Sequence, residues 1–306
     1  MIIRPKHGFL SLLLTIQGSI LPRVLPQILL IAGLGGVGLL LLDHFPSLLP
    51  SYSLAPFSIL GLMLSLLLGF RNNASYARWW EARQQLGDLL VQARSLARLS
   101  VCYLGQTPQQ QAVQLRVITL VRAFSRVLLR SLRNPDVRSC LDDLLSRQDA
   151  AMVYQARNPA DQLLRMLSAE IAMAQRTGLL SDILVTTFEG RVTALATVQA
   201  ACERLQNTPI PFAYMLLVHR TAYIFCFLLP FGLVGSTGTA TPFISALVAY
   251  AFFGLDALSE ELEEPFGERP NQLPLLAIER TLEINMLEAL GEPAPEPLQP
   301  VNYRLS

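Results

Sequence analysis

Charged residues make up only 15% of this 306-residue chain, against about 25% in an ordinary soluble domain. Its 24 basic and 23 acidic side chains nearly cancel to a formal charge of +1, so no broad field draws it to nucleic acid. Cysteine is equally sparse. Cys102, Cys140, Cys202 and Cys226 lie far apart with no C-x-x-C pair, which argues against a zinc cluster or a thioredoxin-like centre and leaves buried, reduced thiols. Neither a P-loop nor a G-x-S-x-G elbow is present. His7, His44 and His219 have no carboxylate or thiol at metal-ligand spacing and read as surface or membrane-interface residues. The N-terminal MIIRPKHGFL has no short apolar stretch leading to a small-residue cleavage site, so no removed signal is expected. These absences point away from an enzyme, and no cofactor or metal is expected.

What the chain has instead is apolar length. Hydrophobic residues reach 52% and the mean hydropathy is +0.40, too apolar for a solvated surface of this size. Val24 to Leu42 carries no ionisable side chain and is long enough to cross about 30 Å of hydrocarbon. Ser51 to Phe70 is a second such stretch, after a short linker with Asp43, His44, Pro46 and Pro50. Thr221 to Gly254 holds two more, separated by the flexible Gly235-Ser236-Thr237-Gly238-Thr239. Four spans follow. The run Gly33-Leu34-Gly35-Gly36-Val37-Gly38 lies inside the first, where small residues let helices approach closely rather than cradle phosphate. Arg4, Lys6 and Arg23 precede the first span, Arg71, Arg78 and Arg83 follow the second, and Arg220 precedes the third, while the short links lack Lys and Arg. Both termini and the middle of the chain are therefore expected in the cytosol of a multi-pass inner-membrane protein.

From Arg71 to Asn207 the pattern changes to that of amphipathic helices. Apolar positions recur every three to four residues over Leu89–Ser100, Gln114–Leu132, Ala160–Arg176 and Leu180–Leu205, punctuated by Pro108, Pro135, Pro159 and Gly178. No strand-period segment competes. This region has 17 Arg against 11 Asp plus Glu, whereas the chain after Gly254 has 11 acids against three Arg. The acidic segment is expected to pack on the basic helices. Among its carboxylates, Asp256, Glu260, Glu261, Glu263 and Glu264 are candidates for a charged collar should subunits form a ring. After Gly291, the stretch EPAPEPLQP reads as a mobile tail.

The second span and its exit carry the most specific pattern. Leu62, Leu66 and Phe70 are four apart and share one helix face, with Ser58 and Ser65 the only hydroxyls nearby. Spacing alone suits lipid or core contact best. The run GFRNNASYARWWEAR from Gly69 to Arg83 then leaves the bilayer as a continuing helix, its Trp79 and Trp80 flanked by arginines. Together with MIIRP at the N-terminus, TPIPFAYMLLVHRTAYIFCFLLPFGLVG from Thr208 to Gly235 and EELEEPFGERPNQLPL from Glu260 to Leu275, this run resembles the bestrophin family of ion channels, bacterial members in particular. The motifs span most of the chain in the family's order.

The resemblance implies an all-α homopentamer, with four transmembrane helices per subunit around one axial pore and a helical cytosolic domain. The corresponding division is 1–70, 71–209, 210–259 and 260–306. It implies that Leu62, Leu66 and Phe70 form the pore neck, gating by dewetting, and that a second constriction lies near Leu180 or Ile183. Expected partners are other copies of the chain, the lipid bilayer and monovalent ions. Animal members bind calcium through an acidic run after Pro-Phe-Gly, but here Arg269 and Gln272 interrupt it, so calcium activation is not expected. Bacterial members tip the reading slightly toward cations such as sodium. A chloride channel of the same family is the alternative, with a non-conducting scaffold beside it.

Overall fold

A computed structural model describes residues 1–3, 8, 15–45, 53–105, 107–134 and 136–306. Arg4, Lys6, His7, Pro46, Pro50, Pro135 and the expected start of the second span at Ser51 lie outside the described residues, as do the last two residues of the MIIRP motif. Among the described residues all regular structure is helical, with only the isolated bridges Ile2–Arg304 and Val301–Arg304. The helices are α1 (Leu21–His44), α2 (Ala55–Tyr103), α3 (Pro108–Ser131), α4 (Arg147–Gln155), α5 (Pro159–Arg176), α6 (Asp182–Asn207), α7 (Phe212–Thr237), α8 (Thr241–Glu263) and α9 (Leu275–Leu290).

Two compact units divide the chain. The apolar unit comprises Arg4–Trp79 and Pro209–Pro265, and the polar unit Met1–Ile3, Trp80–Thr208 and Phe266–Ser306. The first division falls inside α2, where Arg71 and Ser75 continue the buried stripe of that helix. The last falls after Pro265, just past the end of α8 at Glu263.

In the apolar unit each helix contributes one stripe at helical spacing. Val24, Ile28 and Ile31 meet Leu64 and Leu68, Val218, Ala222, Phe225 and Leu229, and Ala249, Phe253 and Ala257. Gly35 sits where α1 touches α8: a Cβ there would come within 2.8 Å of the Pro242 backbone. Close packing of this kind is what holds helices together in lipid, where burial of apolar surface gives no net gain. Around the link between α7 and α8, a 3₁₀ turn at Gly238–Ala240 makes the reversal. Gly238 has φ 51, a conformation that side chains rarely adopt. Among the described residues, three helical stretches are long and apolar enough to cross a membrane: Leu21–His44, Ala55–Tyr103 and Phe212–Glu263, the last containing both α7 and α8. Their outer faces are apolar too, with Leu25, Leu30, Leu40, Ile224, Leu228, Phe243 and Leu247 exposed. This is a membrane protein.

Local signals set the helix starts of the polar unit. Thr107 and Gln110 form a reciprocal capping box ahead of Pro108, and the Ser146, Asn158 and Ser181 side chains accept from the Asp149, Asp161 and Leu184 amides. The short α4 was not apparent from periodicity. Packing here is ordinary burial, of Val117, Val121, Phe124 and Leu128 on α3, Leu163, Leu167 and Ile171 on α5, and Leu282 and Met286 on α9. The final residues are not a free tail. Ile3 donates to the Tyr303 carbonyl at 2.8 Å, Leu305 to that of Met1 at 2.9 Å and Ala277 to that of Ser306 at 2.8 Å, so unused main-chain donors anchor a segment that looked unstructured by composition.

Candidate functional site

Helix α2 has two opposite faces in the apolar unit. Leu64, Leu68, Arg71 and Ser75 point inward, whereas Leu62, Leu66 and Phe70 are 74%, 59% and 57% exposed. The hydroxyls of Ser58 and Ser65 donate back to the Leu54 and Gly61 carbonyls at 3.1 and 2.7 Å, leaving the outward face greasy. Three large apolar side chains four residues apart therefore form an unpartnered strip within one chain. Next to them, Tyr76 and Trp79 stack with centroids 6.1 Å apart.

Directly after Phe70 the inward face becomes charged. The Arg71 guanidinium, 2% exposed, is ion-paired with Asp256 and lies 3.8 Å from Glu263. His219 Nδ1 is 2.7 Å from the other oxygen of Asp256 and its ring packs on Tyr223, joining α2, α7 and α8 in one network. Glu263 also accepts from the Ile210 amide at 3.2 Å, and its carbonyl accepts from Arg78 Nε at 3.2 Å. Arg23 bonds Glu260 at 2.6 Å and lies 3.8 Å from Glu261. Thus Asp256, Glu261 and Glu263 are buried counter-ions within the subunit, Glu260 is shared with Arg23, and Glu264 is the exposed member of the five. The pairing of His219 with Asp256 was invisible at sequence level, because the partners are 37 positions apart on different helices.

The polar unit answers the charge asymmetry of the sequence. Arg122, Arg126 and Arg130 climb one face of α3 at four-residue spacing and meet Glu279 and Glu283 of α9. One amino nitrogen of Arg126 also donates to both carboxylate oxygens of Asp143, at 2.6 and 2.9 Å. Arg133 does something different. Its Nε donates to the Phe266 carbonyl at 3.1 Å, and one amino group donates to those of Gly267 and Leu273 at 3.2 and 3.1 Å. A side-chain cation thereby occupies main-chain oxygens of the loop after Pro265-Phe266-Gly267, and burial lowers its pKa. Gln272 is buried in that loop and accepts from the Arg269 amide at 2.5 Å. No group of three His, Cys, Asp or Glu side chains that could hold a metal comes together among the described residues.

The two candidates for the second constriction part company. Leu180 is 4% exposed and belongs to the core of the polar unit, because its amide turns back onto the Ala174 carbonyl. Ile183, on the first turn of α6 beyond the Ser181 cap, is 79% exposed. Of the four thiols, Cys140, Cys202 and Cys226 are buried as expected, but Cys102 near the end of α2 is exposed.

The model of the Bacterial/Fungal Bestrophin family matches residues 1–288. A voltage-dependent anion channel-forming protein of Mesorhizobium japonicum is 41% identical over 306 residues, covering 100% of this chain and 97% of the relative. The voltage-dependent anion channel-forming protein YneE of Escherichia coli K12 is 40% identical over 292 residues, covering 95% of each. The crystal structure of a bacterial bestrophin homologue from Klebsiella pneumoniae superposes with a TM-score of 0.84 at 37% identity, covering 88% of this chain and 99% of that one. Members of this family are ion channels rather than enzymes. The chain belongs to the bacterial and fungal bestrophin family.

Proposed function

We propose that the chain assembles as a homopentamer in the inner membrane, four spans per subunit, and conducts monovalent ions passively through a neck lined by Leu62, Leu66 and Phe70. The observation that carries this reading is the exposed apolar strip of α2 in a subunit whose opposite α2 face is fully packed. Copies of such a strip around an axis exclude water when close and admit it when they separate slightly, so a small movement gates the flow. Ile183 is the residue we place at a second constriction. Both termini lie on the cytosolic side, in keeping with Arg23, Arg71, Arg78 and Arg220 at the ends of the spans.

An apolar neck has no charge with which to choose an ion. The slight preference for cations such as sodium follows the likeness to bacterial members. It draws little from Asp256, Glu261 and Glu263, whose charges are met by Arg71 and Arg23. The relatives are named as anion channel-forming proteins, which favours chloride as the second reading. Reconstitution in planar bilayers under asymmetric sodium chloride tests both. Unitary currents without a coupled substrate support a channel, and the sign of the reversal potential selects the ion. Silent bilayers containing assembled protein would instead favour a non-conducting scaffold.

A further inference from the structure

The outer face of α2 does not stay apolar past Phe70. At about 100° per residue, position 73 falls between the azimuths of Leu62 and Leu66, and position 77 between those of Leu66 and Phe70. The strip therefore runs Leu62, Leu66, Phe70, Asn73, Ala77, and all five are exposed. Its roll angle is pinned from behind. Arg71, two residues before Asn73, is buried against Asp256, and Ser75, two residues after, is fully buried. The Asn72 amide oxygen lies 3.5 Å from the Ser259 hydroxyl. Asn73 is thus held on the face opposite this seam, and among the described residues its amide has no hydrogen-bond partner.

We infer that Asn73 is the first side chain to resolvate an ion leaving the apolar neck, and that it biases the choice between sodium and chloride. The inference rests on the neck reading of Leu62, Leu66 and Phe70. An ion emerging from a greasy constriction has an incomplete water shell, so the next polar atoms on the same face contribute most to its energy. A primary amide presents a carbonyl oxygen to a cation and two N–H donors to an anion. With no partner in the chain, it turns to suit either. A neutral amide at this position can solvate an ion of either sign, and a charge there would choose between them.

The test uses the full chain reconstituted in bilayers under asymmetric sodium chloride. Asn73→Asp is expected to raise the sodium-to-chloride permeability ratio by about tenfold, and Asn73→Arg to lower it by about as much. Asn73→Leu is expected to lengthen the dry segment and reduce unitary conductance severalfold, while Asn73→Gln keeps the wild-type ratio. To separate the effect from folding, Asn73→Cys in a Cys102→Ser background is assembled first. It is then treated with sulfonatoethyl or trimethylammonioethyl methanethiosulfonate, which should move the ratio in opposite directions. Leu66→Ala is recorded in parallel. Unchanged ratios after both reagents and in both charged variants, while Leu66→Ala alters conductance, would overturn the role of Asn73 and leave the neck standing. Unchanged currents in Leu66→Ala would overturn the neck itself.

Discussion

The buried guanidinium of Arg71 and the carboxylate of Asp256 close on each other between α2 and α8, 185 positions apart in sequence. The pair begins one residue after the last side chain of the proposed neck, so the helix that carries Leu62, Leu66 and Phe70 is fastened at its polar end. Two charges taken out of water are costly, and their mutual attraction offsets that cost only while both remain.

Removing one partner should therefore do more damage than removing both. Asp256→Ala leaves Arg71 buried without its main counter-ion and is expected to destabilise the protein by about 3–5 kcal/mol. The double variant Arg71→Met with Asp256→Leu should recover most of this loss. Thermal unfolding in one detergent, followed by circular dichroism, compares the three. A double variant less stable than Asp256→Ala would mean that the pair contributes more than its own neutralisation.

Glycine positions in α1 offer a sharper contrast. Gly35→Ala drives a methyl into the Pro242 backbone, whereas Gly33→Ala meets nothing within 4 Å. The first substitution should cost about 1–3 kcal/mol and separate α1 from α8, while the second should be neutral or slightly stabilising. Matched melting curves of the two variants check this, and equal melting temperatures would contradict the close helix contact.

Thiol chemistry reports burial directly. Cys102 is exposed and Cys226 is buried within α7, whereas burial pushes the Cys202 thiol up to about 12 and that of Cys140 upward. A maleimide added to the folded protein at neutral pH should label one thiol per chain, and Cys102→Ser should abolish the label. Mass spectrometry of the intact chain counts the adducts.

Acid should loosen the turn after α3. Burial raises the pKa of Asp143, but the hydrogen bonds and charge of Arg126 outweigh it and leave the carboxyl below its ordinary 3.8. A group depressed in the folded state stabilises it above the unfolded value and loses that contribution as pH falls through the folded value. Amide exchange over residues 136–146 should thus rise below about pH 4 in the wild type. Asp143→Asn should already exchange faster at neutral pH and show less further change.

Much of the architecture was legible because a helix in lipid can be apolar all round, whereas one facing water keeps a polar face. Uncharged runs marked the spans, Pro108 and Pro159 marked breaks between helices, and the surplus of arginine in the middle foretold the ladder of Arg122, Arg126 and Arg130 on Glu279 and Glu283. Contacts between distant positions were not legible. Nothing in the local sequence of His219 announces Asp256, and Arg133 reaches carbonyl oxygens, which every residue has. Nor does composition separate Leu180 from Ile183, three residues apart yet on opposite sides of the surface. The C-terminal segment looked free because its anchors are main-chain atoms rather than side chains.

The central claim is that the exposed α2 strip is the gate, and one pair of substitutions isolates it. Leu66 and Leu29 are 59% and 61% exposed in the single chain, both within apolar helices, so trimming either to alanine removes the same atoms from similar surroundings. Single-channel recording in bilayers should find a higher conductance or open probability in Leu66→Ala and wild-type currents in Leu29→Ala. Wild-type currents from Leu66→Ala, or equal changes in both, would contradict the account.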